Sequence, residues 1–168
     1  IEGLSIGVPS DPYFQVLDED VEKSFNSSLR VMENLGARVE DVSFPSAESA
    51  NAVGSTLMGS EASSVHELNL SKRAQDYDPG LRNRLITGSL ITAQAYLKSL
   101  RLRKVLRNDV SSILKRLDVI ATPTCPIGGV KLGKLEQDLG GTVLPLIAAC
   151  TRVTRLLKAL RFPARSVP

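Results

Sequence analysis

What is scarce in this sequence limits its chemistry more than what is abundant. It has one histidine, His66, which excludes a multi-histidine metal centre and makes any Ser-His-Asp triad depend on that single residue. Cys125 and Cys150, the only two cysteines, stand 25 positions apart in no Cys-x-x-Cys or Cys/His ligand spacing. Neither a zinc site nor a disulfide framework is indicated, and a reduced, cytoplasmic setting is expected. No run approaches the roughly 18 apolar residues of a membrane span. The opening IEGLSIGVP lacks an initiating Met, a positively charged leader and an apolar signal core, so it reads as a chain entered mid-stream. The glycine- and serine-rich segment GSTLMGSEASS contains neither a GxxxxGK[ST] phosphate loop nor a GxSxG nucleophile elbow.

What is present is the balance of a globular domain with one core: 168 residues, 42% hydrophobic and 23% charged. Charge is unevenly spread. Residues 18–41 carry seven acids against three bases, and residues 98–116 carry seven bases against Asp109 alone. A basic stripe of that kind can contact phosphates, but no aromatic residue interleaves it after Tyr96, and a solvated helix face accounts for it more simply.

Periodicity places the elements. Leu4, Ile6 and Val8 alternate up to Pro9 as a short strand does, and SDPYFQVLDED reads as a turn. Val21, Phe25, Leu29, Met32 and Leu35 recur at helical spacing, with acids in the first turn and Gly36 suited to the C′ position. Val39, Val42 and Phe44 then alternate as a second strand. Strand, helix and strand form a βαβ-like unit with parallel pairing, so the class is α/β. Residues 46–70 are rich in Ala, Ser and Gly, which favours one or two helices packed at close range. A long helix is expected over 81–117 with Gly88 as its break, a strand at DVIAT, a loop over 128–141, and a final helix through Val153, Leu156, Leu157 and Leu160 that stops at Pro163.

No complete catalytic constellation emerges. His66 lies in SSVHEL, whose flanking residues do not face one another on a helix, and a structural histidine is the expected role. Cys125 follows a strand in DVIATPTCPIGG, a position open to a nucleophile, but nothing basic adjoins it in sequence to generate the thiolate.

Five segments, in order, resemble blocks of the amidase signature family: IEGLSIGVPSDPYF, VMENLGARVEDVSFP, GSEASSVHE, YDPGLRNRLITGSLITAQAYLKSLRLRKVLRNDV and DVIATPTCP. The resemblance covers nearly the whole chain and points to the C-terminal part of that family's single domain, residues 1–168 here. It implies a mixed, twisted sheet between helical layers, an α/β/α fold present only in part, and hydrolysis of carbon–nitrogen bonds in amides by a Ser-Ser-Lys triad. The lysine-bearing helix and Gly/Ser-rich segment that hold the triad in the family match nothing here. No catalytic residue is therefore assigned, and the chain alone is expected to be inactive.

The same resemblance assigns two substrate-binding positions. Arg84 aligns with an arginine that holds the substrate's α-carboxylate in the tRNA-dependent amidotransferases of the family. Thr151 stands where those proteins have an acidic residue for the substrate's amino group, and a neutral threonine makes no such ion pair. A small-molecule amide substrate is implied, with no cofactor, no metal and no nucleic acid or membrane partner. Residues 142–168 diverge from the family: Lys158 replaces an asparagine, Arg161 a glycine, and Arg165 fills a normally apolar slot. Asp118–Thr122 is expected as a buried strand leading to the pocket side, and uncovered sheet edges are expected to promote self-association. The competing readings are a non-catalytic binding module using the 98–116 stripe, and a pseudoenzyme.

Overall fold

The computed structural model describes residues 1–167. Strand β1 (Ser5–Pro9) buries Ile6 and leads into a single helical turn, α1 (Pro12–Gln15). This turn is more than the connection expected of it. Pro12 starts it, and Tyr13 and Phe14 enter the core, edge to face at 5.1 Å, with Phe14 stacked on Phe44 at 6.2 Å. Helix α2 (Glu19–Asn34) ends as anticipated, with Gly36 at C′: Gly36 N–H donates to Glu33 O at 2.9 Å and Ala37 N–H to Met32 O at 3.0 Å, the two bonds of a Schellman cap.

Strand β2 (Arg38–Val42) pairs with β1 in parallel, from Ser5 opposite Arg38 to Pro9 opposite Val42. A 3₁₀ turn at Pro45–Ser49 opens α3 (Ala50–Arg73), the longest helix, so the small-residue segment forms one helix. The expected single helix over 81–117 is two, α4 (Pro79–Ser89) and α5 (Ala93–Ile113). Their junction falls at Leu90–Thr92, past Gly88, because Thr92 is an N-cap whose hydroxyl accepts from Ala95 N–H at 3.2 Å.

Strand β3 (Val119–Ile120) adds to β1 in parallel, giving the order β2-β1-β3. The expectation of a buried strand at 118–122 is corrected here: β3 pairs on one side only, and Val119 is 41% exposed at the sheet edge. The expected loop over 128–141 is also corrected, since β4 (Glu136–Leu139) and β5 (Thr142–Pro145) form an antiparallel hairpin. Its two-residue turn is Gly140-Gly141, both at positive φ, as a primed hairpin turn demands and as only glycine adopts without strain. Helix α6 (Leu146–Leu160) closes the chain.

The core joins Phe14 and Phe44 to Val53 and Leu57 of α3, Leu106 and Val110 of α5, and Leu156 and Leu160 of α6. Helix α2 contributes nothing fully buried: Val21, Phe25, Leu29 and Met32 are half-buried, and Val31 and Leu35 are exposed. Among the described residues no helix is long and apolar enough to cross a membrane.

Candidate functional site

Helix α3 organises the residues of interest because its glycines let two other helices approach it. Helix α4 meets it backbone to backbone: a Cβ on Gly88 would lie 2.3 Å from the Gly59 carbonyl oxygen. Helix α6 meets it at Gly54, where a Cβ would lie 2.8 Å from Cγ of Arg155. Five residues of helix turn through about 140° beyond a full turn, so α4 and α6 reach α3 from different sides.

That geometry separates the two substrate-binding positions read from the sequence. Arg84, on α4, is exposed, and no hydrogen bond or ion pair holds it among the described residues. Thr151, on α6, is half-buried, and its hydroxyl is engaged twice, donating to Ile147 O at 2.6 Å and accepting from Arg155 Nη2 at 2.7 Å. No hydrogen bond joins Arg84 to Thr151 among the described residues.

The residue that sequence reasoning missed is Arg155. Its Nη1 donates to Ser55 Oγ at 2.9 Å across the α3–α6 contact, and its Nε is buried without a partner. The i,i+4 spacing of Thr151 and Arg155 on a helix was the signal available for that pair; nothing in the sequence announced Ser55. Positive charge therefore stands directly behind the threonine.

One turn earlier, Arg152 and Tyr13 clasp each other. The phenol donates to Arg152 O at 2.6 Å, Arg152 Nε donates to Tyr13 O at 2.9 Å, and the guanidinium lies 4.2 Å from the ring centroid. Burial pushes the Tyr13 hydroxyl up to about 12, against the smaller opposing pull of Arg152 and Arg155. At neutral pH it is a fixed hydrogen-bond donor and not a base.

The other candidates take structural positions. His66 is half-buried, with Nδ1 2.9 Å from the Tyr77 hydroxyl and the two rings edge to face. Cys125 Sγ donates to the Cys150 carbonyl at 3.3 Å, and the Cys150 thiol is pushed up by burial and by Cys125 beside it. Neither thiol meets a histidine or lysine that would activate it, and all eight lysines of the chain are exposed. Among the described residues no group of three or more His, Cys, Asp or Glu side chains gathers as a metal site.

The basic stripe is less uniform than a solvated face. Lys98, Arg101, Lys104 and Lys115 are exposed on α5 and just beyond it, but Arg107 turns inward, donating to Leu160 O and lying 4.7 Å from the Phe162 ring. Arg116 pairs with Glu40 of β2. In the C-terminal segment, Lys158 and Arg165 are exposed, so neither buries a charge. Arg161 is the C-cap of α6 at φ +53, the left-handed conformation that favours glycine.

The Amidase family model matches residues 2–168. An amidase of Pseudomonas putida is 31% identical over the whole chain, which covers 36% of that protein. A glutamyl-tRNA(Gln) amidotransferase protein of Clostridium botulinum (strain Kyoto / Type A2) is 26% identical over 83% of the chain, and the match covers 34% of that protein. A crystal structure of an amidase superposes on 95% of the chain with a TM-score of 0.87 at 27% identity, and the match covers 37% of it. The chain spans about a third of the length of the relatives it matches, and over that span, with its α/β fold, it belongs to the amidase family.

Proposed function

We propose that this chain is the C-terminal, triad-free part of an amide hydrolase, supplying part of the sheet and one wall of the substrate pocket. The observation that carries this reading is the family match to residues 2–168 of a chain that spans only 36% of its amidase relative.

In the complete enzyme, a serine from the rest of the fold attacks the amide carbonyl and the amine leaves. Arg84 on α4 and Thr151 on α6, which stand apart in this chain, take the role of binding residues in that enzyme through their alignment with the family. Arg84 offers an unpaired guanidinium to a carboxylate or carbonyl oxygen. At Thr151 the charge behind the hydroxyl is that of Arg155, which repels a substrate ammonium instead of holding it. The substrate class is accordingly a small amide without a free amino group beside the scissile bond, and the setting is cytoplasmic. The half-covered face of α2 and the open edge of β3 fit contact with the remaining fold, and in isolation they favour self-association.

The test is direct. Incubated with a fluorophosphonate probe and with a panel of aliphatic and aryl amides, the isolated chain is expected to show neither serine labelling nor amide hydrolysis. Stoichiometric labelling of any serine in the chain overturns the reading.

A further inference from the structure

The two cysteines, unrelated by any sequence motif, meet in the fold. Cys125 lies in the turn after β3, flanked by the buried Pro123 and Pro126, and Cys150 lies in the second turn of α6. The Cys125 thiol rests 3.3 Å from the Cys150 carbonyl oxygen, and both side chains pack on one small cluster of Ile127, Leu139 and Ala149. The two side chains also lie within hydrogen-bond reach of each other, so the sulfurs are already neighbours. Both thiols are half-buried and reduced, which leaves a path for a small oxidant.

We propose that Cys125 and Cys150 form a redox pair, which a peroxide-class oxidant joins in an intramolecular disulfide stapling the turn after β3 to α6. In the first step the Cys125 thiolate attacks one peroxide oxygen. The O–O bond breaks, the departing hydroxide takes up a proton and leaves as water, and Cys125 becomes a sulfenic acid. In the second step the Cys150 sulfur attacks that sulfur, the S–S bond forms as the S–O bond breaks, and the Cys150 proton goes with the hydroxyl as a second water. Two thiols lose two electrons and the peroxide is reduced to two waters.

The order of the steps follows from the surroundings. Burial and the neighbouring Cys125 keep Cys150 protonated, which suits it to the second role. The staple closes the segment that holds the β4–β5 hairpin. It also ends one residue before Thr151, so oxidation constrains the pocket wall proposed above, although the chemistry of the pair does not depend on that reading.

The experiment treats the purified, reduced chain with hydrogen peroxide at mildly alkaline pH. It follows the free-thiol count, the non-reducing peptide map and the melting temperature. Both thiols are expected to disappear together into one Cys125–Cys150 cross-linked peptide, with no cross-link between chains. The melting temperature should rise by about 7–14 °C, as closure of a loop of this length implies for a chain of this size, and a dithiol reductant should reverse the rise.

C125S and C150S should each lose the cross-link and the melting shift. In strong urea the cross-link should form more slowly, because the fold no longer holds the thiols together. Separate over-oxidation of the two cysteines, cross-linking only between chains, or an undiminished rate in urea each overturns the proposal.

Discussion

The contact that sets α4, and with it Arg84, against α3 rests on a missing side chain, and Gly88→Ala tests that argument quantitatively. On helix propensity alone, replacing a helical glycine by alanine stabilises by up to about 1 kcal/mol. The structure predicts the opposite sign. The new Cβ would lie 2.3 Å from the Gly59 carbonyl oxygen, 2.8 Å from its carbonyl carbon and 3.2 Å from its Cα, all rigid backbone atoms. Relieving that overlap means moving the helices apart by roughly 1 Å, and overpacking of this kind costs about 1–3 kcal/mol.

After the propensity gain is subtracted, a net loss near ~1 kcal/mol is expected, read as a fall of about 2–4 °C in melting temperature or as a lower urea midpoint with unchanged slope. Gly59→Ala is the internal control. Its Cβ would meet the flexible end of Ile91 at 3.1 Å and the Gly88 Cα at 3.6 Å, so the change should be close to neutral. If Gly88→Ala is as stable as the parent or more so, the backbone contact between α3 and α4 is not what positions α4, and the reasoning fails.

Two further outcomes follow from the α6 region. Arg161→Gly should stabilise the chain by about 1 kcal/mol, because Arg161 holds φ +53 at the helix C-cap while the ion pair it would lose, to an exposed Glu61 at 3.6 Å, contributes little; an unchanged or lower urea midpoint refutes this. Alkaline titration should unfold the protein through Tyr13: the folded phenol titrates at about 12 against an unfolded value near 10, so the stability it confers is complete below pH 10 and falls by up to about 2 kcal/mol as pH rises to 12. Tyr13→Phe should remove that component of the alkaline loss when denaturation is followed by circular dichroism across that interval.

The elements with strong periodicity are legible in the sequence: β1, α2, β2 and α6 lie where their apolar spacing puts them, and Gly36 caps α2 as expected. The junction of α4 and α5 falls beyond the expected break because Gly88 only weakens the helix, whereas Thr92, a good N-cap, restarts it. The hairpin at 136–145 escapes a periodicity argument because Glu136, Gln137 and Asp138 carry no apolar alternation; the Gly140-Gly141 turn is its only signal. Tyr13 reads as part of a turn because a four-residue helix is too short to show a period, and its burial depends on Arg152, 139 positions away.

The candidate site is legible only in part, for a related reason. Arg84 and Thr151 can be named from their alignment with a family, but the electrostatics at Thr151 depend on Arg155 reaching across to Ser55, a contact between residues 100 positions apart. In the binding role proposed for Thr151, Arg155 converts a loss into a reversal: where the resemblance to the amidotransferases implies an acid, this chain has a hydroxyl with a guanidinium behind it. Replacing an acid by a neutral group only weakens attraction for an ammonium, whereas adding a nearby cation turns attraction into repulsion, and in a partly desolvated site the difference is amplified. The preference we propose, for a substrate without a free amino group, therefore rests on Arg155 more than on Thr151, and position 151 considered alone does not suggest it.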